Sequence, residues 1–326
     1  MKRITAALLL MSLSSGLAQA SELTLQIADQ KGGMRAVLDA AGELTHLSYH
    51  IQWSEFPAAA PLAEALNAGA VDAGIIGDAP LLFAEAGGAR VRAIAVAKSD
   101  AYGTALLVNA NSPLHRAADL KGKTIATNRG SIGHLVALKA LASAGLKPSD
   151  VTFRFLTPSD AKLALSQGDV DVWATWEPYT AFAETQDAMR VLVNGRGLWS
   201  GNTFVAATET ALADPKKRQA LQDFLLRLAR AQQWANQHPD NYSQTLSKII
   251  GFPEEAVKLS FSRRHMVWQA IDEKTIQQQQ QTADFYHQSG LLPQRLQVSP
   301  TFDHSFILTT PGTAAPAGQT HGKEGN

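Results

Sequence analysis

The sequence predicts an α/β protein built from two lobes of similar plan. From residue 23 onwards short apolar strands alternate with amphipathic helices, a pattern typical of parallel-type sheets. Related segments recur at a spacing of 99 residues: 28–33 with 127–132, 67–73 with 166–172, and 77–80 with 176–179. This repeat indicates that one structural unit occurs twice, although any two βαβ units share some likeness.

The first lobe is expected to begin with an alternating strand at 23–27. Gly32 and Gly33 mark the turn into a helix through 37–38. The third strand runs into Gly77-Asp78-Ala79-Pro80, where proline suits the first turn of the next helix. The remaining elements expected here are a helix at 57–68 and strands at 48–53, 73–76, 91–97 and 104–108.

The stretch 123–145 opens the main part of the second lobe and predicts a short buried strand, a turn and an amphipathic helix. Leu135, Leu138 and Leu141 recur at helical spacing, and Gly145 ends the helix. Ser131 stands where an N-cap hydroxyl is expected. The chain is expected to leave this lobe after a further short strand at 204–207.

The start of this helix is a candidate anion site, because unpaired backbone N–H groups there carry a partial positive charge. Gly130 permits close approach, Ser131 adds a hydroxyl donor, and Arg129 offers a charged fork. The alternative is an ordinary turn capped by Ser131. A nucleophile elbow is excluded because Arg129 replaces its first glycine. A P-loop is excluded because Gly122-Lys123-Thr124 opens a strand.

Helical periodicity dominates the rest of the chain, which is expected to pack back on the first lobe. The helices are expected at 216–236, 242–250, 253–271 and 274–288. The predicted division is therefore 21–108 plus 208–306 for lobe 1 and 109–207 for lobe 2. Residues 309–326 lack apolar periodicity and are expected to form a disordered tail.

The first 20 residues predict a secretory signal peptide. They combine Lys2 and Arg3, a short apolar run and the small-residue exit Ala18-Gln19-Ala20. The apolar run is too short to span a bilayer, so cleavage before Ser21 and a periplasmic location are expected.

Composition excludes several classes of function. The chain contains no cysteine, which excludes disulfides, thiolate metal sites and cysteine nucleophiles. Without Lys2 and Arg3 it has 27 basic residues (29 − 2) against 29 acidic ones, a net charge of −2 that gives no nucleic-acid footprint. Its histidines are dispersed, so we expect no metal site. It shows no nucleophile–base pair and no cofactor motif, so we expect no catalytic residue and no cofactor.

Together these motifs resemble the periplasmic aliphatic sulfonate-binding proteins of ABC importers, which are related to nitrate-, taurine- and thiamine-precursor-binding proteins. The resemblance covers the chain from 21 to about 306. It implies a two-lobed periplasmic-binding-protein clamshell of type II, with a ligand cleft between lobes that close at the two crossings. The motifs that carry it are the signal peptide, Gln30–Gly33, Gly69–Asp72 with Gly77–Pro80, Arg129–Ser131, and Asp171–Pro178.

Motif by motif, the resemblance implies which positions face the ligand. Trp176 offers a broad apolar face that suits the organic part of a sulfonate, and the alternative is a core tryptophan whose N–H is bonded internally. Asp78 is expected to pair with Arg129 or Lys31, to contact a polar tail, or to be a solvated turn residue. The positions expected at the ligand are Gln30, Gly77, Asp78, Ala79, Gly130, Ser131 and Trp176, with Arg129 and Glu177 beside them.

The implied function is delivery of an alkyl sulfonate, as a sulfur source, to an inner-membrane ABC permease by a monomeric exported protein. Ile132 stands where such proteins carry threonine, which leaves the head-group preference open. Nitrate, bicarbonate, taurine and a thiamine-pyrimidine precursor are alternative ligands. Two other classes remain: an enzyme on this scaffold that makes thiamine pyrimidine, and an exported ligand sensor. The export signal and the lack of a nucleophile–base pair argue against the enzyme.

Overall fold

The computed structural model describes residues 23–308, which form two β-sheets covered by helices. The predicted signal peptide and C-terminal tail lie outside the described residues. Among residues 23–308, no helix has the length and apolar character needed to cross a membrane.

The strands, in chain order, are β1 (Thr24–Gln30), β2 (His50–Phe56), β3 (Ala73–Gly77), β4 (Val91–Lys98), β5 (Ala105–Asn109), β6 (Thr124–Thr127), β7 (Thr152–Phe155), β8 (Val172–Thr175), β9 (Met189–Asn194), β10 (Asn202–Thr208) and β11 (Val267–Gln269). The helices are α1 (Met34–Ala40), α2 (Ala59–Asn67), α3 (Asp78–Ala86), α4 (Ile132–Ser143), α5 (Pro158–Gln167), α6 (Tyr179–Gln186), α7 (Glu209–Ala213), α8 (Pro215–Gln237), α9 (Pro239–Ile250), α10 (Glu254–Arg264) and α11 (Glu273–Gln288).

The two sheets repeat one strand order, as the spacing of 99 residues predicted. The first sheet, which defines lobe 1, has the order β2-β1-β3-β10-β4-β11. The second sheet, which defines lobe 2, has the order β7-β6-β8-β5-β9, which corresponds to the first five strands of the first sheet. In each sheet three parallel strands are followed by an antiparallel one. Asp72 accepts the N–H of Gln26 at 2.9 Å, and Asp171 accepts the N–H of Thr124 at 2.8 Å. These matching bonds tie the first parallel strand to the third in both sheets.

The chain changes sheets a few residues earlier than predicted at both crossings. Most of Ala105–Asn109 was assigned to lobe 1 but forms β5 of the second sheet, and most of Asn202–Thr208 was assigned to lobe 2 but forms β10 of the first. Both are apolar strands, and composition alone does not show which sheet such a strand joins. The crossings are therefore 99–104 and 195–201.

The two crossings are hydrogen-bonded to each other. The N–H and the hydroxyl of Ser99 both donate to the carbonyl of Gly201, each at 3.0 Å. Gly201 has a φ of +75°, and a Cβ at this position would lie 2.0 Å from the Ser99 carbonyl oxygen. Only glycine fits there, so the two crossings are held side by side.

Apolar side chains fill both faces of each sheet. In lobe 1 one face packs against α1, α8 and α9 and the other against α2, α3 and α11. In lobe 2 one face packs against α4 and the other against α5 and α6. The predicted helices at 216–236, 242–250 and 274–288 are confirmed as α8, α9 and α11, and they pack on lobe 1 as expected.

The helix predicted at 253–271 is wrong beyond Arg264. The helix α10 ends at Arg264, and His265 adopts a left-handed φ of +45°. Met266 and Trp268 are buried while Val267 is exposed, an alternation that belongs to a strand rather than a helix. This segment forms β11, the edge strand beside β4.

Candidate functional site

A cavity of about 130 Å³, here called the interlobe cavity, lies between lobes 1 and 2. Lobe 1 contributes Gln30 and Gly77, at the carboxyl ends of β1 and β3. Lobe 2 contributes Ser131 at the start of α4 and Trp176 after β8. The carboxyl ends of parallel strands from both sheets therefore face one space, where open α/β sheets usually bind ligands.

Two backbone N–H groups at the start of α4, those of Ile132 and Gly133, have no acceptor among residues 23–308, and Ile132 lines the interlobe cavity. The N–H of Gly130 donates to Nδ1 of His134 at 3.2 Å, and that of Ser131 donates to a carbonyl of the preceding turn at 3.1 Å. The Ser131 hydroxyl caps the helix by accepting the His134 N–H at 3.2 Å. The free amides therefore lie two residues beyond the predicted pair Gly130 and Ser131.

Close packing fixes the position of this helix start. A Cβ on Gly133 would lie 2.7 Å from the Ala174 carbonyl oxygen, so α4 approaches β8 as only glycine allows. The His134 ring lies nearly perpendicular to the rings of Phe153 and Phe155, with centroids 5.0 and 5.3 Å away. Burial, helped by the charge of Arg129, lowers the pKa of His134 to about 4. The ring is therefore neutral near pH 7 and accepts a hydrogen bond at Nδ1.

Gln30 and Gly77 bring lobe 1 up to this helix start. The side-chain amide of Gln30 donates to the Ile75 carbonyl at 3.4 Å, which directs it along the cavity wall. Gly77 has an ordinary φ of −68°, but a Cβ there would lie 2.9 Å from Cγ2 of Ile132. The two lobes therefore touch beside the cavity.

Trp176 lines the interlobe cavity and packs edge-on against Tyr179, with ring centroids 6.0 Å apart. Ile75, Leu246 and Ile250 of lobe 1 add further apolar surface to the same cavity. This combination suits the organic part of a small ligand.

Glu177 lines the cavity, but its carboxylate joins the lobes. Oε1 lies 2.7 Å from Nε of Arg263, and Oε2 accepts the Ala181 N–H at 3.0 Å. Arg263 also donates to Glu184 at 2.6 Å. Burial raises the pKa of Glu177, and the charge of Arg263 opposes that rise. Glu177 thus holds α6 of lobe 2 against α10.

Asp78 and Ala79 do not line the interlobe cavity, contrary to expectation. Asp78 is fully buried; its Oδ1 accepts the N–H of Ala79 and the indole N–H of Trp199, both at 2.7 Å. Its Oδ2 accepts the Ser200 hydroxyl at 2.9 Å. Burial raises the pKa of Asp78, while these bonds act against that rise. The predicted pairing with Arg129 or Lys31 is wrong: Asp78 anchors the returning crossing.

Arg129 and Gly130 line a second cavity of about 380 Å³, which meets the interlobe cavity at Ser131 and Pro80. The Arg129 guanidinium stacks on Phe155, 3.7 Å from the ring centroid. In the part of the chain that the structure describes, it has no carboxylate within 4.0 Å. Arg129 is therefore beside the interlobe cavity and outside its lining.

Sequence reasoning missed Arg264, which lines the interlobe cavity from the last turn of α10. The sequence feature that could have pointed to it is the arginine pair Arg263-Arg264 within a helical pattern. The sequence does not show that α10 lies between α9 of lobe 1 and α6 of lobe 2. Across residues 23–308, no group of three His, Cys, Asp or Glu side chains is placed to hold a metal ion.

Comparison with known proteins assigns this geometry to a family. The family model described as ABC transporter, phosphonate, periplasmic substrate-binding protein matches residues 47–251. An aliphatic sulfonates-binding protein of Escherichia coli (strain K12) is 34% identical over 302 residues, covering 91% of this chain and 94% of that relative. The chain belongs to the periplasmic substrate-binding proteins of ABC transporters.

Solved structures of this family share the fold of the chain. The alkanesulfonate-binding protein SsuA from Xanthomonas axonopodis pv. citri, bound to MOPS, superposes with a TM-score of 0.79 at 33% identity, covering 87% of this chain and 99% of that one. The two-lobed periplasmic-binding-protein fold that the sequence predicted is thereby confirmed. The desulfurization enzyme DSZB is similar in fold alone, with a TM-score of 0.61 at 17% identity, covering 87% of this chain and 97% of that one.

Proposed function

We propose that this protein is the periplasmic substrate-binding component of an ABC importer and that it binds aliphatic sulfonates between its lobes for import as a sulfur source. The observation that carries the proposal is the convergence of hydrogen-bond donors from both lobes on the interlobe cavity. The names of the similar proteins, which refer to aliphatic sulfonates and alkanesulfonate, support the choice of ligand.

The head group is assigned to the start of α4. A sulfonate is fully ionised and offers three acceptor oxygens without a proton, so it is best held by donors alone. The N–H groups of Ile132 and Gly133 and the Ser131 hydroxyl are such donors in lobe 2. The Gln30 amide, which has a second N–H beyond the one bound to Ile75, is a donor in lobe 1. The partial positive charge at the helix start adds to these bonds.

The organic tail is assigned to the apolar part of the same cavity. Trp176 from lobe 2 and Leu246 and Ile250 from lobe 1 line this space. An alkyl chain there would lose contact with water at both walls, at a gain of about 0.8 kcal/mol per buried CH₂ group.

Binding is expected to favour lobe closure. Donors on opposite lobes reach one anion only when the lobes are together, so the ligand has higher affinity for the closed form and shifts the population towards it. The crossings 99–104 and 195–201, bonded through Ser99 and Gly201, form the hinge in this proposal. An inner-membrane permease would then recognise the closed, loaded protein.

We assign the protein to binding rather than catalysis and to the periplasm as a monomer exported by its signal peptide. The family assignment and the name of a similar protein support a transport role. The likeness to DSZB concerns the fold alone and adds no enzymatic assignment.

Calorimetry of the ligand-free protein tests the proposal. Ethanesulfonate, butanesulfonate, a morpholine sulfonate, taurine, nitrate, bicarbonate and sulfate would be titrated under one buffer condition. Alkyl sulfonates are expected to bind at least tenfold more tightly than nitrate or sulfate, which lack an organic tail to bury. If only nitrate or bicarbonate gave binding heat, that anion would be the ligand instead of a sulfonate. If taurine bound more tightly than butanesulfonate, the ligand would be a sulfonate with a charged tail instead of an alkyl tail.

A further inference from the structure

We infer that Arg264 of α10 provides the positive charge that pairs with the anionic ligand from the side of lobe 1. This inference rests on the proposed function, because it concerns the same cavity. It makes the site selective for anions over uncharged molecules of similar shape, such as a neutral pyrimidine. The backbone N–H groups at the start of α4 can hold an anion without a formal charge, and Arg264 adds a formal positive charge to the site.

The two neighbouring arginines of α10 have different surroundings. Arg263 lies within 2.7 Å of Glu177 and 2.6 Å of Glu184. Arg264 has no carboxylate within 4.0 Å among residues 23–308, and the hydrogen bond found for its guanidinium there goes to the sulfur of Met266, at 4.0 Å. Glu177 acts on Arg264 through its charge, but Oε2 of Glu177 accepts the Ala181 N–H and Oε1 lies 2.7 Å from Nε of Arg263 without forming a hydrogen bond. The positive charge of Arg264 is therefore incompletely balanced by the protein.

The position of Arg264 gives that charge access to the ligand. It lines the interlobe cavity together with Gln30, Ser131 and Trp176. On its other side it lines a small cavity inside lobe 1 whose walls include the apolar residues Leu246, Phe261 and Trp268. The Arg264 carbonyl accepts the Asp100 N–H at 2.8 Å, which ties the end of α10 to the first crossing. Burial in this setting lowers the pKa of Arg264.

Physical chemistry predicts what such a charge does. Holding a guanidinium among apolar groups without a counter-ion destabilises the unliganded protein, and an anion entering the cavity relieves that cost. The charge of Arg264 therefore increases the affinity for the anion, although it does not stabilise the unliganded protein. A residue used only for packing would behave in the opposite way, because its removal would weaken the unliganded protein.

The experiment compares Arg264→Met with Arg263→Met, a matched change one residue away in the same helix turn. Thermal unfolding without ligand is expected to show Arg264→Met at least as stable as the wild type. Arg263→Met should be clearly less stable, since it leaves two carboxylates without a partner. By calorimetry Arg264→Met is expected to bind butanesulfonate about 10- to 150-fold more weakly, the usual value of a hydrogen bond to a charged group. Arg264→Lys should recover part of that loss.

Each result bears on the inference separately from the proposed function. Equal affinity of the wild type and Arg264→Met for butanesulfonate would overturn the inference and leave the sulfonate assignment intact. A lower unfolding temperature for ligand-free Arg264→Met would also overturn it, because Arg264 would then be a packing residue. If the wild type binds no sulfonate, the proposed function fails. The inference then requires that nitrate, bicarbonate or sulfate raises the unfolding temperature of the wild type but not of Arg264→Met, and it falls if none does.

Discussion

Replacing Gly77 by alanine should weaken ligand binding by obstructing closure of the lobes. Gly77 belongs to lobe 1, and the added methyl group would lie 2.9 Å from Cγ2 of Ile132 in lobe 2. The φ of −68° and ψ of 163° at Gly77 suit alanine, so the backbone itself is not strained. The clash therefore exists only when the two lobes are together.

The size of the effect follows from this contact. A distance of 2.9 Å is too short for two carbon atoms, and overpacking of one methyl group typically costs about 1–3 kcal/mol. Because only the closed form pays this cost, the dissociation constant for an alkyl sulfonate should rise about 5- to 150-fold. The unfolding temperature of the ligand-free protein should hardly change if the free protein is open.

Calorimetry with butanesulfonate measures the first effect and thermal unfolding the second. Gly87→Ala is the control, because Gly87 ends the same helix α3 at a negative φ of −77° and its added Cβ would meet only carbonyls of that helix. Unchanged affinity in Gly77→Ala, with Gly87→Ala also unchanged, would refute closure at this contact.

Three further predictions concern the start of α4 and the tail site. Ser131→Asp should abolish sulfonate binding by placing a negative charge beside the anion, and unchanged affinity in calorimetry would remove Ser131 from the site. Trp176→Ala should reduce butanesulfonate affinity about tenfold but methanesulfonate affinity much less; equal losses would contradict its role at the tail. The lowered pKa of His134, about 4 against 6.5, means that the folded protein binds fewer protons, so stability falls by about 3 kcal/mol as pH drops from 6.5 towards 4. Urea unfolding over this pH range should show a weaker dependence of stability on pH in His134→Gln than in the wild type. An identical dependence would contradict the lowered pKa of His134.

The sequence predicted the local elements of lobe 2 well because their signals are local. The N-cap of Ser131, the apolar spacing of α4 and the repeat around Asp72 and Asp171 all appear in the structure. Such features depend on residues close in sequence, and the repeat supplied the similarity of the two sheets.

The features that sequence reasoning missed depend on contacts between distant segments. Asp78 was expected at the ligand because the family resemblance implies it, but Trp199 and Ser200 from the returning crossing donate to its carboxylate. Arg264 was overlooked because its place at the cavity follows from how α10 packs between the lobes. The strand β5 was assigned to the wrong lobe for the same reason, since pairing with β8 and β9 decides its sheet.

A crystal structure with butanesulfonate bound would test the central claim most directly. The sulfonate oxygens are expected about 3 Å from the N–H groups of Ile132 and Gly133, with the alkyl chain beside Trp176. Ligand density elsewhere, with those two amides facing water or a protein side chain, would contradict the claim that a helix start in one lobe and donors of the other hold the anion.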